Sequence, residues 1–550
     1  MGQTAAMQPI SRRLFLAGTA AVAITACSDD STSSSDSSAT TAGEPAESTV
    51  PATDAPETTA AATTTTSTLA PVELSGDPFT LGIASGDPDA TSVVLWTRLA
   101  PDPMNGGGMP GDDVAVLWEV SATDDFAEIA ASGTETATAE HAHTVRAIAT
   151  IDEGDWFYRF RVGEYTSPVG ITRRSPDAGA TEAKFAAGSC QNYSDGYYAA
   201  HRDIAEQQPD FVVWLGDYIY EGGGLPFDPN VASREHVGDE PKTLEQYRVR
   251  YAQYKSDANL QAAHAACPWF IIWDDHEVEN NYASGTPQDT AETAAFLDRR
   301  FAAYTVWWEH QPTRLDAPVA PDQEYRIYRD AQWSDLIQIA LLDGRQYRSD
   351  QACGDVTLVI EPPCPEAAET DRTMLGAEQE QWLLDTLKAS TATWNLLGNQ
   401  VILADSTFNG AVLNFDQWDG YPVARNRLLQ EFADASIQNL VVVTGDIHLA
   451  AVAQLRAGDR GTGTPVGVEF VTTSISSDGL VGDELTDVMK TFPALIDAEL
   501  AHRGYSLHTV TRDSWTADYR IVAEVDDPNS EVTTYGTYVV AAGSNTVAKA

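Results

Sequence analysis

The chain has 550 residues, 43% of them hydrophobic, with 81 Asp and Glu against 33 Lys and Arg and a formal net charge of −48. That length is ample for a large buried core and, at roughly 150 residues per domain, predicts two to four structural units. So acidic a composition excludes nucleic acid as the principal partner, because a duplex-binding face needs cations to displace condensed counterions, and it disfavours adsorption to an anionic membrane.

Residues 11–18 read SRRLFLAG, and the apolar run over residues 14–26 is shorter than the ~20 residues a membrane span requires. Arg12 and Arg13 before Leu14-Phe15-Leu16 resemble a twin-arginine (Tat) export signal. Ile24-Thr25-Ala26-Cys27 resembles a bacterial lipobox, in which Cys27 becomes the lipidated N-terminus of the mature protein. The expectation is export by the Tat route after removal of residues 1–26. The product is a cell-surface lipoprotein touching the membrane only through Cys27, or a secreted protein if cleavage falls elsewhere in the small-residue stretch. Residues 27–74 are rich in Ser, Thr and Ala; too few apolar groups are present to offset the entropy of ordering, so they read as a disordered tether.

Over residues 75–175, short alternating runs such as SVVLWTRL, VAVLWEVS and DWFYRFRVG are punctuated by Gly, Pro and Asp. This is strand vocabulary, and it predicts a small β-sandwich of immunoglobulin or fibronectin type. Over residues 180–545, apolar strands alternate with helical stretches, predicted at 201–208, 243–265, 291–310, 378–388 and 425–434. That alternation is the mark of an α/β layered domain. Cys353 and Cys364, in the loop CGDVTLVIEPPC, predict a disulfide; Cys267, before the strand WFIIW, reads as a buried apolar residue.

Five apolar runs end in polar residues: KFAAGSC, DFVVWLGDYIYEG, WFIIWDDHEVENNY, NLVVVTGDIH and VEFVTTSISSDG. Sites in open α/β sheets form beyond the carboxyl ends of such strands, so their tips are expected to converge. Brought together would be Cys190, Asp217, Tyr220, Asp274, Asp275, His276, Glu277, Asn280, Asn281, Asp446 and His448. A single Gly-Asp after a strand is usually a turn or a helix cap; two of them beside an Asp-Asp-His-Glu tip are not. Mixed carboxylate, imidazole and amide donors suit hard or borderline cations, and a thiol and phenol among them favour a strongly Lewis-acidic ion such as ferric iron. No P-loop, dinucleotide fingerprint or G-x-S-x-G elbow is present.

The motifs GIASGDPDATSVVLWTRL, GSCQNYSDGYY, LGDYIYEG, WDDHEVENNY, LDGRQYRSD, LGNQVIL, VTGDIH and HRGYS occur in this order. In that order they resemble the PhoD-like alkaline phosphatases and phosphodiesterases, within the calcineurin-like metallophosphoesterase superfamily. The resemblance implies an αββα sandwich holding a binuclear or larger centre of Fe3+ and Ca2+. Cys190, Tyr220 and His448 are implied ligands of the ferric ion, and Asp217 bridges to a calcium position that takes Asp275 and Asp446, with Asn281 as a further candidate. Sequence leaves open which of Asp446 and His448 faces which ion. His276 aligns with the superfamily's leaving-group acid, its alternative being a supporting partner of the ligands. Arg345 is a candidate phosphate contact, as is Arg348; for each, an ion pair with a nearby carboxylate is the alternative. The implied activity is hydrolysis of phosphate mono- or diesters by a metal-bound hydroxide, for phosphate acquisition, by a monomer. A phospholipase D-like phosphodiesterase and a surface-displayed binding protein with a degenerate site remain as alternatives.

Overall fold

The computed structural model describes residues 73–550 except 223–233, 289, 356, 459–462, 480–485 and 487–488. Arg12, Arg13, Cys27 and the tether through residue 72 lie outside the described residues.

The main sheet has ten strands. In spatial order they are Val547–Lys549, Val532–Ala541, Ser514–Val522, Arg503–Thr511, Glu182–Gly188, Phe211–Trp214, Pro268–Ile271, Ile83–Gly86, Ser92–Arg98 and Thr144–Thr150. A second sheet orders Arg329–Trp333, Ile337–Leu341, Trp394–Asn399, Leu440–Thr444, Pro465–Val471, Ala450–Arg456 and Leu495–Glu499. The two pack face to face: Phe185, Val213 and Phe270 of the first share one buried cluster with Ile339, Leu396, Val441 and Phe470 of the second. Alternation along each strand sends neighbours to opposite faces. Thus Val441 and Val443 face the main sheet, while Val442 joins Leu383 and Leu387 of helix Gly376–Ala389 and Leu428 and Phe432 of helix Pro422–Asp434. Helices Ala199–Gln207, Leu244–Lys255, Ala258–Ala266 and Phe296–His310 add their buried side chains to the main sheet's cluster, giving the αββα layering. The central strands of both sheets are buried on two faces, which is why they are continuously apolar.

Helices were expected without a break over 243–265. Two form instead, because Asp257 accepts from the backbone N–H groups of Asn259 and Leu260 and so caps a new helix. Among the described residues no helix is long and apolar enough to cross a membrane.

The N-terminal layer is joined to the main sheet more closely than the sequence implied. Strands Val114–Ser121, Ala131–Ala137, Trp156–Val162, Tyr165–Thr166 and Gly170–Thr172 form one small sheet. Its core partners are Ile83, Val93, Leu95 and Val145, which belong to the end of the ten-stranded sheet. Ile83–Gly86 pairs in parallel with Pro268–Ile271, so one of the sandwich's two sheets continues the sheet of the large domain.

Candidate metal centre

The parallel strands of both sheets run out at one edge, and their next residues meet there. Glu182–Gly188 leads to Cys190, Phe211–Trp214 to Asp217 and Tyr220, Pro268–Ile271 to Asp274, Asp275 and His276, and Leu440–Thr444 to Asp446 and His448. Two glycines permit the approach. A Cβ on Gly216, whose φ is +115°, would lie 2.4 Å from the Cβ of Asp274, and one on Gly445 would lie 2.4 Å from Ser189 Oγ. The Cys190 turn is tied to the other sheet: Ser477 donates both its N–H, at 3.2 Å, and its hydroxyl, at 2.8 Å, to the Cys190 carbonyl, and Asn192 N donates to Ser477 Oγ at 3.0 Å.

Three donor groups overlap. Donor atoms of Cys190, Asp217 and His448 lie within 4.8 Å of one another; so do those of Asp217, Asp275 and His276, and those of Asp217, Asp274, Asp275 and Asp446. Asp217 is common to all three. The Tyr220 hydroxyl donates to Asp217 Oδ2 at 3.0 Å and lies 3.0 Å from His448 Nε2, which places the phenol in the first group. His448 Nδ1 is turned to the carbonyl of Asp478, leaving Nε2 for the site. Asn281 donates its backbone N–H to Asp275 Oδ2 at 2.7 Å. Cys190, Asp217, Asn281, Asp446 and His448 all have φ between +53° and +65°, a conformation that L residues hold only when their surroundings enforce it and that clusters at functional sites.

The site's electrostatics are those of crowded, buried anions. Burial and then Asp217 push the Cys190 thiol well above its ordinary range, and burial, Asp217 and Cys190 do the same to the Tyr220 phenol. Burial raises Asp217 well above the carboxylate range, although the His276 charge opposes it. Burial, with Asp275 and Asp416 beside it, pushes Asp446 up to about 6. Asp274 Oδ2 has no hydrogen-bond partner among the described residues, and Asp275 Oδ1 has none beyond its ion pair with Arg345 Nη2 at 3.2 Å. A cation would relieve the repulsion among these carboxylates, and the donors differ by chemistry: Cys190, Tyr220 and His448 gather about Asp217 in one group, and Asp274, Asp275 and Asp446 in another.

His276 Nδ1 is 2.7 Å from Glu221 Oε2, and its ring stacks on that of Tyr220 with centroids 4.1 Å apart. Burial opposes the imidazolium, but Glu221, Asp275 and Asp217 outweigh it and raise His276 well above its usual value. Burial likewise acts to raise Glu221, yet the His276 charge and the hydrogen bonds from His276 and Asn280 N hold it down at about 2.

Arg345 is placed differently from the expected phosphate contact. It is completely buried; Nε donates to Asp274 Oδ1, and Nη1 and Nη2 donate to the two oxygens of Asp416 at 2.9 and 2.8 Å. Arg348 is buried on the same carboxylate, 3.1 Å from Asp416 Oδ1. Arg345 Nη2 also lies 3.2 Å from Asp275 Oδ1 and 3.7 Å from Asp446 Oδ1, so the guanidinium braces the donor carboxylates. Sequence reasoning passed over Asp416, which stands in no strand-end motif, and Glu221, which lay unremarked within GDYIYEG. It grouped Glu277 with the donors, whereas Glu277 accepts the backbone N–H groups of Asp217, Tyr218 and Asp274 and so joins two strand tips.

Residues 185–519 match the family model of the PhoD-like phosphatases, and residues 63–176 match the N-terminal domain model of the same family. The chain is 44% identical over 478 residues to alkaline phosphatase D of Bacillus subtilis (strain 168), covering 84% of this chain and 81% of that protein. A solved structure described as that of PhoD superposes with a TM-score of 0.82 at 42% identity, covering 87% of this chain and 93% of the other.

Proposed function

The chain belongs to the PhoD-like phosphatase family and is a phosphoric ester hydrolase, and from that premise we propose that it is an exported, metal-dependent phosphatase and phosphodiesterase that releases phosphate for uptake. The observation that carries the metal dependence is the overlap of three donor groups on Asp217, with the buried Asp274 Oδ2 lacking a hydrogen-bond partner beside it. Cys190, Tyr220, His448 and Asp217 would hold ferric iron; Asp217, Asp275 and Asp446, with Asn281, would hold calcium. Such ions, when bound, supply Lewis acidity toward phosphoryl oxygens and lower the pKa of water.

The chain's own side chains do the rest. Cys190, Asp217, Asp274 and Asp275 are buried, whereas His276, Asp446 and His448 are partly exposed, so the ester approaches from the side of those three. Glu221 can only accept at His276 Nδ1 while it is ionised, so the second proton of the imidazolium is on Nε2. His276 Nε2 is therefore the atom that gives a proton to the departing alkoxide. Arg345, Arg348 and Asp416 keep the carboxylates in register without touching the ester.

The test compares turnover of a chromogenic phosphate monoester with that of the matching diester by the processed protein supplied with calcium, with bound iron and calcium quantified. Faster monoester cleavage supports phosphate scavenging, and faster diester cleavage points to lipid, nucleic-acid or wall-polymer substrates. Absence of both activities with the metals bound would discard the hydrolytic reading in favour of a displayed binding protein. Export rests on Arg12, Arg13 and Cys27: Cys27→Ser should release the protein from the cell surface, and replacing both arginines by lysine should stop its translocation.

A further inference from the structure

The disulfide-closed turn reaches the metal centre through one side chain. Cys353 and Cys364 are joined, and both pack on the small buried cluster of Ala352, Ala367, Val412 and Phe415, next to Asp416. Asp355, two positions after Cys353, points from this turn to Asn281: Asn281 Nδ2 donates to Asp355 Oδ1 at 3.2 Å. The same carboxylate accepts from Gln288 Nε2 at 3.1 Å, and Gln288 Oε1 accepts from Asn280 Nδ2 at 2.9 Å. The backbone of Asn281 is held from both sides, its N–H donated to Asp275 and its carbonyl accepting from Gln351 Nε2 at 2.8 Å. What remains free in Asn281 is which end of its amide faces which way.

We propose that Asp355 is a positioning residue for the second cation. Held in place by the Cys353–Cys364 bridge, it binds the nitrogen of the Asn281 amide and so presents the carbonyl oxygen Oδ1 to the oxygen-ligand side of the centre. The reason is the asymmetry of the two partners. An ionised carboxylate only accepts, so it selects the NH2 end of an amide that has one donor and one acceptor end. The acceptor end is the one a hard cation takes, and among the described residues no donor is bonded to Asn281 Oδ1. Without Asp355 the amide can turn over and offer N–H groups to the cation, which they repel. The disulfide restricts the turn that carries Asp355, so a covalent bond remote from the donors limits how far the amide can stray. Partners of this kind, one bond removed from a ligand, are typically worth 10–100-fold in metal affinity.

This inference rests on the reading of Asn281 as a donor to the second cation, and the experiment separates the two. Calcium affinity is measured by equilibrium dialysis on the full processed chain, with iron content and thermal midpoint followed in parallel. Asn281→Ala should weaken calcium binding about tenfold or more, and Asp355→Ala should weaken it by at least several-fold with iron content unchanged. Asp355→Asn should recover part of the loss, because its carbonyl can still accept from Asn281 Nδ2. The Cys353→Ala/Cys364→Ala pair should weaken calcium in the same direction as Asp355→Ala. If Asn281→Ala leaves calcium affinity unchanged, the donor reading falls and takes this inference with it. If Asn281→Ala weakens calcium while Asp355→Ala does not, the positioning role alone is overturned. A loss of iron equal to the loss of calcium in Asp355→Ala would mark a merely structural role and overturn it as well.

Discussion

Glu221 and His276 form a carboxylate–imidazole pair at 2.7 Å, with the imidazole ring lying on the face of Tyr220. The carboxylate comes from the second strand tip and the imidazole from the third, so the pair exists only when those tips are adjacent. It places, on a rim that also carries Asp446 and His448, an imidazole whose protonated form the neighbouring carboxylates favour.

Glu221→Gln removes the charge that keeps His276 protonated. A raised imidazole pKa means that the acid form persists to higher pH, so in the variant the alkaline limb of the rate profile should move to lower pH. Turnover of esters with poor alkyl leaving groups should fall about 10²-fold, and activated nitrophenyl esters should lose much less, because they need little proton donation. Equal losses for both ester classes would argue against the proton-donor role.

Asp416 is the carboxylate shared by two buried guanidinium groups, those of Arg345 and Arg348. Asp416→Asn leaves Arg348 without its carboxylate partner inside the protein, while Arg345 keeps Asp274 and Asp275; leaving a buried charge unpaired costs about 3–5 kcal/mol. Urea unfolding should show a loss of that size, accompanied by loss of bound metal as the brace on Asp274 and Asp275 loosens. A loss below about 1 kcal/mol would mean that water reaches these groups.

Cys190→Ala should abolish iron binding and turnover. Burial holds this thiol in its neutral form in the absence of a cation, so its role as a donor depends on the ion it meets. An alanine variant retaining full iron and rate would remove Cys190 from the donor set.

Stability should decline in mild acid. Burial drives His201 and His508 down to about 3. Trp515 Nε1 donates to His508 Nδ1 at 2.9 Å, a bond that protonation at that nitrogen would destroy. A folded-state pKa below the unfolded value of ~6.5 means that the unfolded chain takes up the proton first. Each imidazole therefore removes up to about 1.4 kcal/mol per pH unit as pH falls from ~6.5 toward 3, with no effect above ~7. Urea midpoints between pH 7 and 5 should drop, and His508→Gln should flatten that slope; unchanged slopes would refute the assignment.

The site was legible in the sequence wherever a donor follows a buried strand, because a run such as FVVWLGD fixes both the strand and where it ends. Asp217, Tyr220, Asp275, Asp446 and His448 were found in this way, and the structure brings them together. What was not legible depends on pairing between distant segments. Nothing in the string around Arg345 says which of its two readings holds, phosphate contact or ion pair, nor that Asp274 and Asp416 occupy its guanidinium, as the structure shows. Likewise, the alternation in SVVLWTRL identifies a strand without saying that it extends the ten-stranded sheet, since edge partners are chosen in three dimensions. The break in the predicted helix over 243–265 was readable, because Ser256-Asp257 is a capping sequence, but the apolar spacing on either side concealed it.

The Cys190 carbonyl is held by Ser477, 287 positions later. During synthesis at about 5–20 residues per second, roughly a quarter of a minute to a minute separates the emergence of these two residues from the ribosome. In that interval the nascent segment carries a thiol, a phenol and several carboxylates without the turn that gathers them. A chain truncated before Ser477 therefore carries all of the donors named above but lacks the hydroxyl that holds the Cys190 turn. If the centre binds metal as proposed, capture should follow the synthesis of Ser477, so its timing would be set by the last part of the message.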